Sequence, residues 1–111
     1  NTVLSDEDIQ ATLTELTAQS LCQALLQQNV PKSSELILTG GGAHNAYLRE
    51  RIAAHWQGTV CRSDAYGISP DWVEAMAFAW LAHQTLEHQP GNLPAVTGAK
   101  RPCILGGIYL A

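Results

Sequence analysis

The sequence predicts an α/β fold with parallel strands and packed helices in the order α-β-α-β-α-β. Three observations predict it. Short apolar runs alternate with longer segments of helical periodicity, the pattern of parallel sheets whose strands are joined by helices. The first run, Glu35-Leu36-Ile37-Leu38-Thr39, stops at Gly40-Gly41-Gly42, as a strand buried on both faces does where it ends in a loop. A chain of 111 residues, 46% hydrophobic and 14% charged, suits a single domain around one core.

The first helix is predicted over residues 5–28. Ser5 with Asp8 three residues on resembles a capping box, and Ile9, Leu13, Leu16, Ser20 and Ala24 recur at helical spacing. Pro31 turns Val30 away from helical geometry and ends it. The strand at 35–39 follows, with both faces expected to be buried. The second helix takes Asn45 as its N-cap, shares Leu48, Ile52 and Trp56 on one face, keeps Arg49, Glu50 and Arg51 on its wet side and ends at Gly58.

Thr59-Val60-Cys61 is the second strand. A third helix starts at Ser69-Pro70, a favoured N-cap and first-turn pair, and runs to about His88. Between Trp72 and Ala82 it is apolar on nearly every side, which predicts a central helix surrounded by other elements. Residues 89–102 read as an ordered loop. Cys103 to Leu110 reads as a last strand, with Gly106-Gly107 marking a bulge or a close backbone approach.

Composition excludes several functions. A net charge of −4 with only six Lys plus Arg disfavours nucleic acid, and no apolar run nears the ~20 residues of a membrane span. A soluble, cytoplasmic protein is expected. Cys22, Cys61 and Cys103 lack C-x-x-C spacing and read as free buried thiols, and the four histidines lack metal-ligand spacing, so no metal site is expected. A chain that starts at Asn1 without methionine suggests a fragment.

The triple glycine before a helix points backbone N–H groups and a helix's positive end at an anion, with phosphate the leading candidate. It is neither a P-loop nor a G-x-G-x-x-G fingerprint, so a tight β–α turn and a nucleotide-binding loop are equally compatible with it. Asp64 lies in the loop after the second strand, at the edge where open α/β sheets place ligands; it accepts from a sugar hydroxyl or caps the loop as an Asx-turn. Glu74 is the one charged residue from Trp72 to Ala82, so a buried setting requires partners for it, whereas a first-turn setting needs only the helix dipole. The tryptophans are expected in core or inter-domain space.

Together, "LTGGGAHNAYLRERIAAHW", "SDAYGISPDWVEAMAFAWLAHQTL", "GNLPAVTGA" and "LGGIYLA" resemble the C-terminal part of the anhydro-N-acetylmuramic acid kinase family, within the sugar kinase, Hsp70 and actin superfamily. The resemblance implies an actin-like ATPase fold, with ATP and Mg2+ held in a cleft between two related domains. It implies a bacterial cell-wall recycling activity in which water opens the 1,6-anhydro bridge while O6 takes the γ-phosphoryl of ATP, giving N-acetylmuramic acid 6-phosphate. It also implies that Gly40, Gly41, Gly42 and Asn45 face the nucleotide, and that Glu74, Asp64 and Gly67 lie near the amino sugar. The family's Gly-Thr-Ser-x-Asp-Gly segment, and the D-T-G-P-x-N stretch bearing the general base, are not in this sequence. The chain alone is therefore expected to lack kinase activity and to need the family's N-terminal domain as partner. A non-catalytic nucleotide-binding or interaction module is the alternative, and a homodimer stays open.

Overall fold

The computed structural model describes residues 4–109. Its elements run α1 (Asp6–Gln27), β1 (Leu36–Leu38), α2 (Ala46–His55), β2 (Val60–Arg62), α3 (Pro70–Leu86) and α4 (Pro94–Thr97), with 3-10 turns at Gly41–His44 and Ser63–Tyr66. Two compact units divide the chain, one ending at Val73 and the other beginning at Glu74. This is an α/β arrangement, as expected.

In the first unit, α1 begins as its sequence dictates. The Ser5 hydroxyl accepts the Asp8 N–H at 3.1 Å while the Asp8 carboxylate takes the Ser5 N–H at 3.4 Å, so two otherwise orphaned donors are satisfied reciprocally. Asn29, at φ 59°, and Pro31 then carry the chain out of the helix. β1 and β2 pair in parallel with Leu36 opposite Val60, Ile37 opposite Cys61 and Leu38 opposite Arg62. The parallel pairing matches the sequence reading; burial does not. Ile37 is half exposed, so β1 is not enclosed on both faces among the described residues.

The core lies between α1 and α2, where Ala18, Cys22, Ile52 and Trp56 are buried against Leu25, Leu26, Val30 and Leu48. This corrects the expected face of α1. Leu13 and Leu16 are 58% and 61% exposed, whereas Ala18, which lies on the opposite side of the helix, is fully buried. Small residues win the interface because they let the two helix backbones approach. The larger stripe through Ile9, Leu13 and Leu16 is left outside.

Two residues of α2 also depart from expectation. Arg49 donates to the Ala43 carbonyl at 2.8 Å, and Arg51 pairs with Glu15 of α1 at 2.6 Å, so the supposed wet side is partly engaged. Glu15 also meets His55 at 2.5 Å, and these bonds, led by the Arg51 guanidinium, pull its carboxyl down to about 2. The helix ends at Trp56 rather than through a left-handed glycine cap. Gly58 has a different cause: a Cβ there would fall 2.0 Å from the Ser34 carbonyl oxygen, and that same oxygen accepts the Trp56 indole N–H at 2.7 Å.

The second unit contains α3 from Glu74 onward. The expected enclosure of this helix is absent among the described residues: Met76, Phe78 and Trp80 are all more than half exposed. Trp72, in the first turn, is exposed as well, so two of the three tryptophans lie outside any core described here. The helix ends at Leu86, and His88 takes φ 54° just beyond it.

The expected last strand does not form over the described part of 103–110, and no third strand exists among the described residues. A strand needs a ladder partner. This segment's polar groups are bonded otherwise: Cys103 N–H donates to Asn92 Oδ1 at 2.6 Å, its carbonyl accepts from Gly91 at 3.1 Å, and the Thr85 hydroxyl donates to the Leu105 carbonyl. The loop at 89–102 contains α4, opened by Pro94 and closed by Gly98 in the left-handed region. No helix of the described residues is long and apolar enough to cross a membrane. Cys22, Cys61 and Cys103 are free; Cys22 is buried and the other two are partly buried.

Candidate functional site

Parallel strands bring the loops that follow them to one edge of the sheet, so Gly40–Asn45 after β1 and Ser63–Gly67 after β2 leave from the same edge. Gly40 sits at φ 70°, ψ −171°, a conformation open essentially to glycine alone. Its N–H donates to the Pro70 carbonyl at 3.0 Å, and its carbonyl accepts the Ala43 N–H at 3.0 Å. Gly42 accepts from Asn45 at 3.1 Å. Ala43 is buried beneath the turn.

Gly41 is the informative position. Its φ lies outside the left-handed range and a Cβ there would meet nothing within 4 Å, so neither backbone strain nor internal packing calls for glycine. Gly42 has only ordinary contact with Leu48 at 3.6 Å. As the first residues of the turn, Gly41 and Gly42 have no acceptor for their N–H groups among the described residues. The loop thus offers two free amide donors on exposed residues.

Asn45 closes the 3-10 turn and opens α2, accepting the Leu48 N–H on Oδ1 at 3.0 Å. Its oxygen is committed to the cap. The loop is tied at its far end by His44, whose Nε2 lies 2.6 Å from Asp71 Oδ1 in the first turn of α3. Neither His44 nor Asp71 was a sequence candidate, because nothing in the string pairs two polar residues 27 positions apart.

The second loop is built on Arg62, whose guanidinium forks onto Asp64 at 2.5 and 3.3 Å. Asp64 therefore makes an ion pair, and of the two settings considered for it the Asx-turn does not form among the described residues. Gly67, at φ 80°, closes the turn by donating to the Asp64 carbonyl at 3.0 Å. Ser63 beside them is buried, and its hydroxyl has no partner among the described residues, an uncommon condition for a buried polar group.

Tyr66 donates to the Glu35 carboxylate, which raises the phenol's pKa, and the Cys61 thiol lies 3.5 Å from the same carboxylate. Burial first, and Glu35 second, push that thiol up as well, making it a poor nucleophile.

Glu74 opens the second unit and is exposed, with no hydrogen-bond partner among the described residues. This corrects the buried setting considered for it. The structure thus gathers Gly40, Gly41, Gly42, Asn45, Asp64 and Gly67 at one edge of the parallel pair within the first unit, and Glu74 belongs to the other unit.

Comparison with known proteins gives a consistent result. The family profile described as anhydro-N-acetylmuramic acid kinase matches residues 1–111. Among curated proteins, the chain is 56% identical over 110 residues to an anhydro-N-acetylmuramic acid kinase of Saccharophagus degradans, covering 98% of this chain and 29% of that protein. It is 53% identical to the one from Hahella chejuensis and 52% identical to the one from Pseudomonas paraeruginosa, with coverage of 97% and 98% of this chain and 29% and 30% of theirs. The chain spans less than a third of the length of these relatives.

Proposed function

From the premise that this chain belongs to the anhydro-N-acetylmuramic acid kinase family, we propose that it forms one wall of an ATP site. That site would serve the conversion of 1,6-anhydro-N-acetylmuramic acid, water and ATP to N-acetylmuramic acid 6-phosphate and ADP. Gly41 carries the reading. A glycine required by neither its own dihedral nor its own protein neighbours, with a free N–H beside it, is explained by an outside group that approaches the main chain. Nucleotide phosphate or ribose has both the acceptors and the shape.

On this reading Gly40 bends the chain out of β1, Gly41 and Gly42 present amides, and Asn45 fixes the start of α2 so that its positive end faces the same side. The Arg62–Asp64 pair rigidifies the neighbouring loop, and the Ser63 hydroxyl is a further group seeking an acceptor or donor. Glu74 is assigned to the amino sugar, as an exposed carboxylate free to accept from hydroxyl or amide groups.

Phosphoryl transfer needs positioning and charge neutralisation around the γ-phosphate. The described residues hold no group of three or more His, Cys, Asp or Glu suited to a metal, so Mg2+ is assigned to the nucleotide phosphates and the facing wall. The general base belongs to that wall too. The 111-residue chain alone is accordingly inactive, and activity belongs to a polypeptide of the relatives' full length in a two-domain, actin-like arrangement.

The test is an amide-resolved titration of the chain with an ATP analogue. Shifts concentrated at residues 40–45 support the site. Shifts absent there at millimolar nucleotide, or steady turnover by the chain alone, contradict it.

A further inference from the structure

We propose that His44 is a positioning residue: paired with Asp71, it latches the glycine loop to the first turn of α3 and so holds the Gly41 and Gly42 amides unbonded to the protein. The inference rests on the nucleotide reading for its purpose, but its geometry stands apart from it. Two bonds cross from the loop to consecutive residues of one helix start. Gly40 N–H donates to the Pro70 carbonyl at 3.0 Å, and His44 Nε2 meets Asp71 Oδ1 at 2.6 Å. They bracket Gly41, Gly42 and Ala43.

A segment of three glycines has more conformational freedom to lose than any other tripeptide, and fixing one end alone leaves most of that freedom. Fixing both ends removes it before a ligand arrives, which is how preorganisation raises affinity without adding a ligand contact. Arg49 completes the arrangement from the α2 side by holding the Ala43 carbonyl at 2.8 Å. With Gly40, Ala43 and His44 all anchored, the two unanchored amides are those proposed to face the nucleotide. His44 has the right chemistry for this, since its ring N–H donates to a carboxylate while the short, planar side chain spans from loop to helix with little freedom of its own.

The competing view is that two half-exposed side chains form a surface pair of no consequence. Two measurements decide between them. In the 111-residue chain, amide exchange at Gly40 is compared for the parent, H44A, D71A and H44Q. In a polypeptide of the relatives' full length, the affinity for a non-hydrolysable ATP analogue with Mg2+ is measured by calorimetry for the same set and for the H44A/D71A double variant.

The latch predicts about fivefold faster exchange in H44A and D71A, and about fivefold weaker binding in each, in line with a pair near the upper end of exposed ion pairs. The double variant should bind no more weakly than either single one. H44Q, whose amide can donate to Asp71, should stay within about twofold of the parent, which a loss of folding would not explain. Unchanged exchange in H44A, or H44Q as impaired as H44A, overturns the latch. Faster exchange with unchanged analogue affinity overturns its positioning role while the nucleotide site stands. A parent polypeptide that binds no analogue overturns the nucleotide reading itself, and the exchange comparison still decides the latch.

Discussion

Replacing Gly41 by alanine separates two explanations that a loop glycine usually confounds. If glycine were needed for backbone geometry or packing, the substitution would destabilise the chain. Its φ is outside the left-handed range, and the added methyl meets no atom within 4 Å. The folded state therefore loses nothing, while the unfolded chain loses freedom, so Gly41→Ala should stabilise by about 0.4–1 kcal/mol. Gly40→Ala should do the opposite, costing about 1–3 kcal/mol, because φ 70° with ψ −171° is closed to a residue with a Cβ.

The same methyl at position 41 projects into the space assigned to the nucleotide. A misfit there of the size that overpacking produces, about 1–3 kcal/mol, corresponds to roughly five- to 150-fold weaker binding. Urea unfolding followed by fluorescence measures the first effect, and calorimetric titration of a relative-length polypeptide with an ATP analogue measures the second. A Gly41→Ala chain destabilised by more than about 1 kcal/mol refutes the claim that no internal cause requires glycine. Unaltered analogue affinity refutes the claim that the vacant space is where the nucleotide lies.

Other consequences follow from the same geometry. Gly58→Ala would drive a methyl to 2.0 Å from the Ser34 carbonyl oxygen and break the Trp56–Ser34 bond, so unfolding stability should fall by more than about 2 kcal/mol. Ala18→Leu, which overfills the α1–α2 contact, should cost about 1–3 kcal/mol by urea unfolding, whereas Leu13→Ala on the outer stripe should cost under about 0.5 kcal/mol in this chain. Glu15 has a folded pKa depressed from 4.5 to about 2 by Arg51 and His55, so its contribution is fully present above its ordinary value and is lost as pH falls through that window. Stability of the Glu15→Gln variant, measured between pH 5 and pH 2, should accordingly decline less steeply than that of the parent.

Local features were legible because their causes are local. The Ser5–Asp8 capping box, the Asn45 cap, Pro70 at a helix start and the parallel pairing of the strands on either side of α2 each follow from a few adjacent residues or from one intervening helix. The buried face of α1 was not legible in the same way, since the helix carries apolar or small residues on two opposite sides. Periodicity favours the bulkier stripe, while close helix approach selects Ala18 and Cys22.

The expected strand at the C-terminal end failed for a related reason. An apolar run marks potential for a strand, and only a neighbouring strand realises it. Likewise α3 reads as a central helix from its composition, but that composition does not supply the elements that would cover Met76, Phe78 and Trp80. At the site, the glycines announced themselves. The residues that hold them did not, because the His44–Asp71 and Gly40–Pro70 bonds join positions about 30 residues apart.

On the proposed function, the Gly41 and Gly42 amides are reserved for a nucleotide. The most direct measurement is the structure of a relative-length polypeptide crystallised with a non-hydrolysable ATP analogue. Nucleotide atoms should then occupy the space above Gly41, with an acceptor within about 3.2 Å of at least one of the two amide nitrogens. A nucleotide bound elsewhere, with both amides facing solvent or turned onto protein carbonyls, would contradict the proposal.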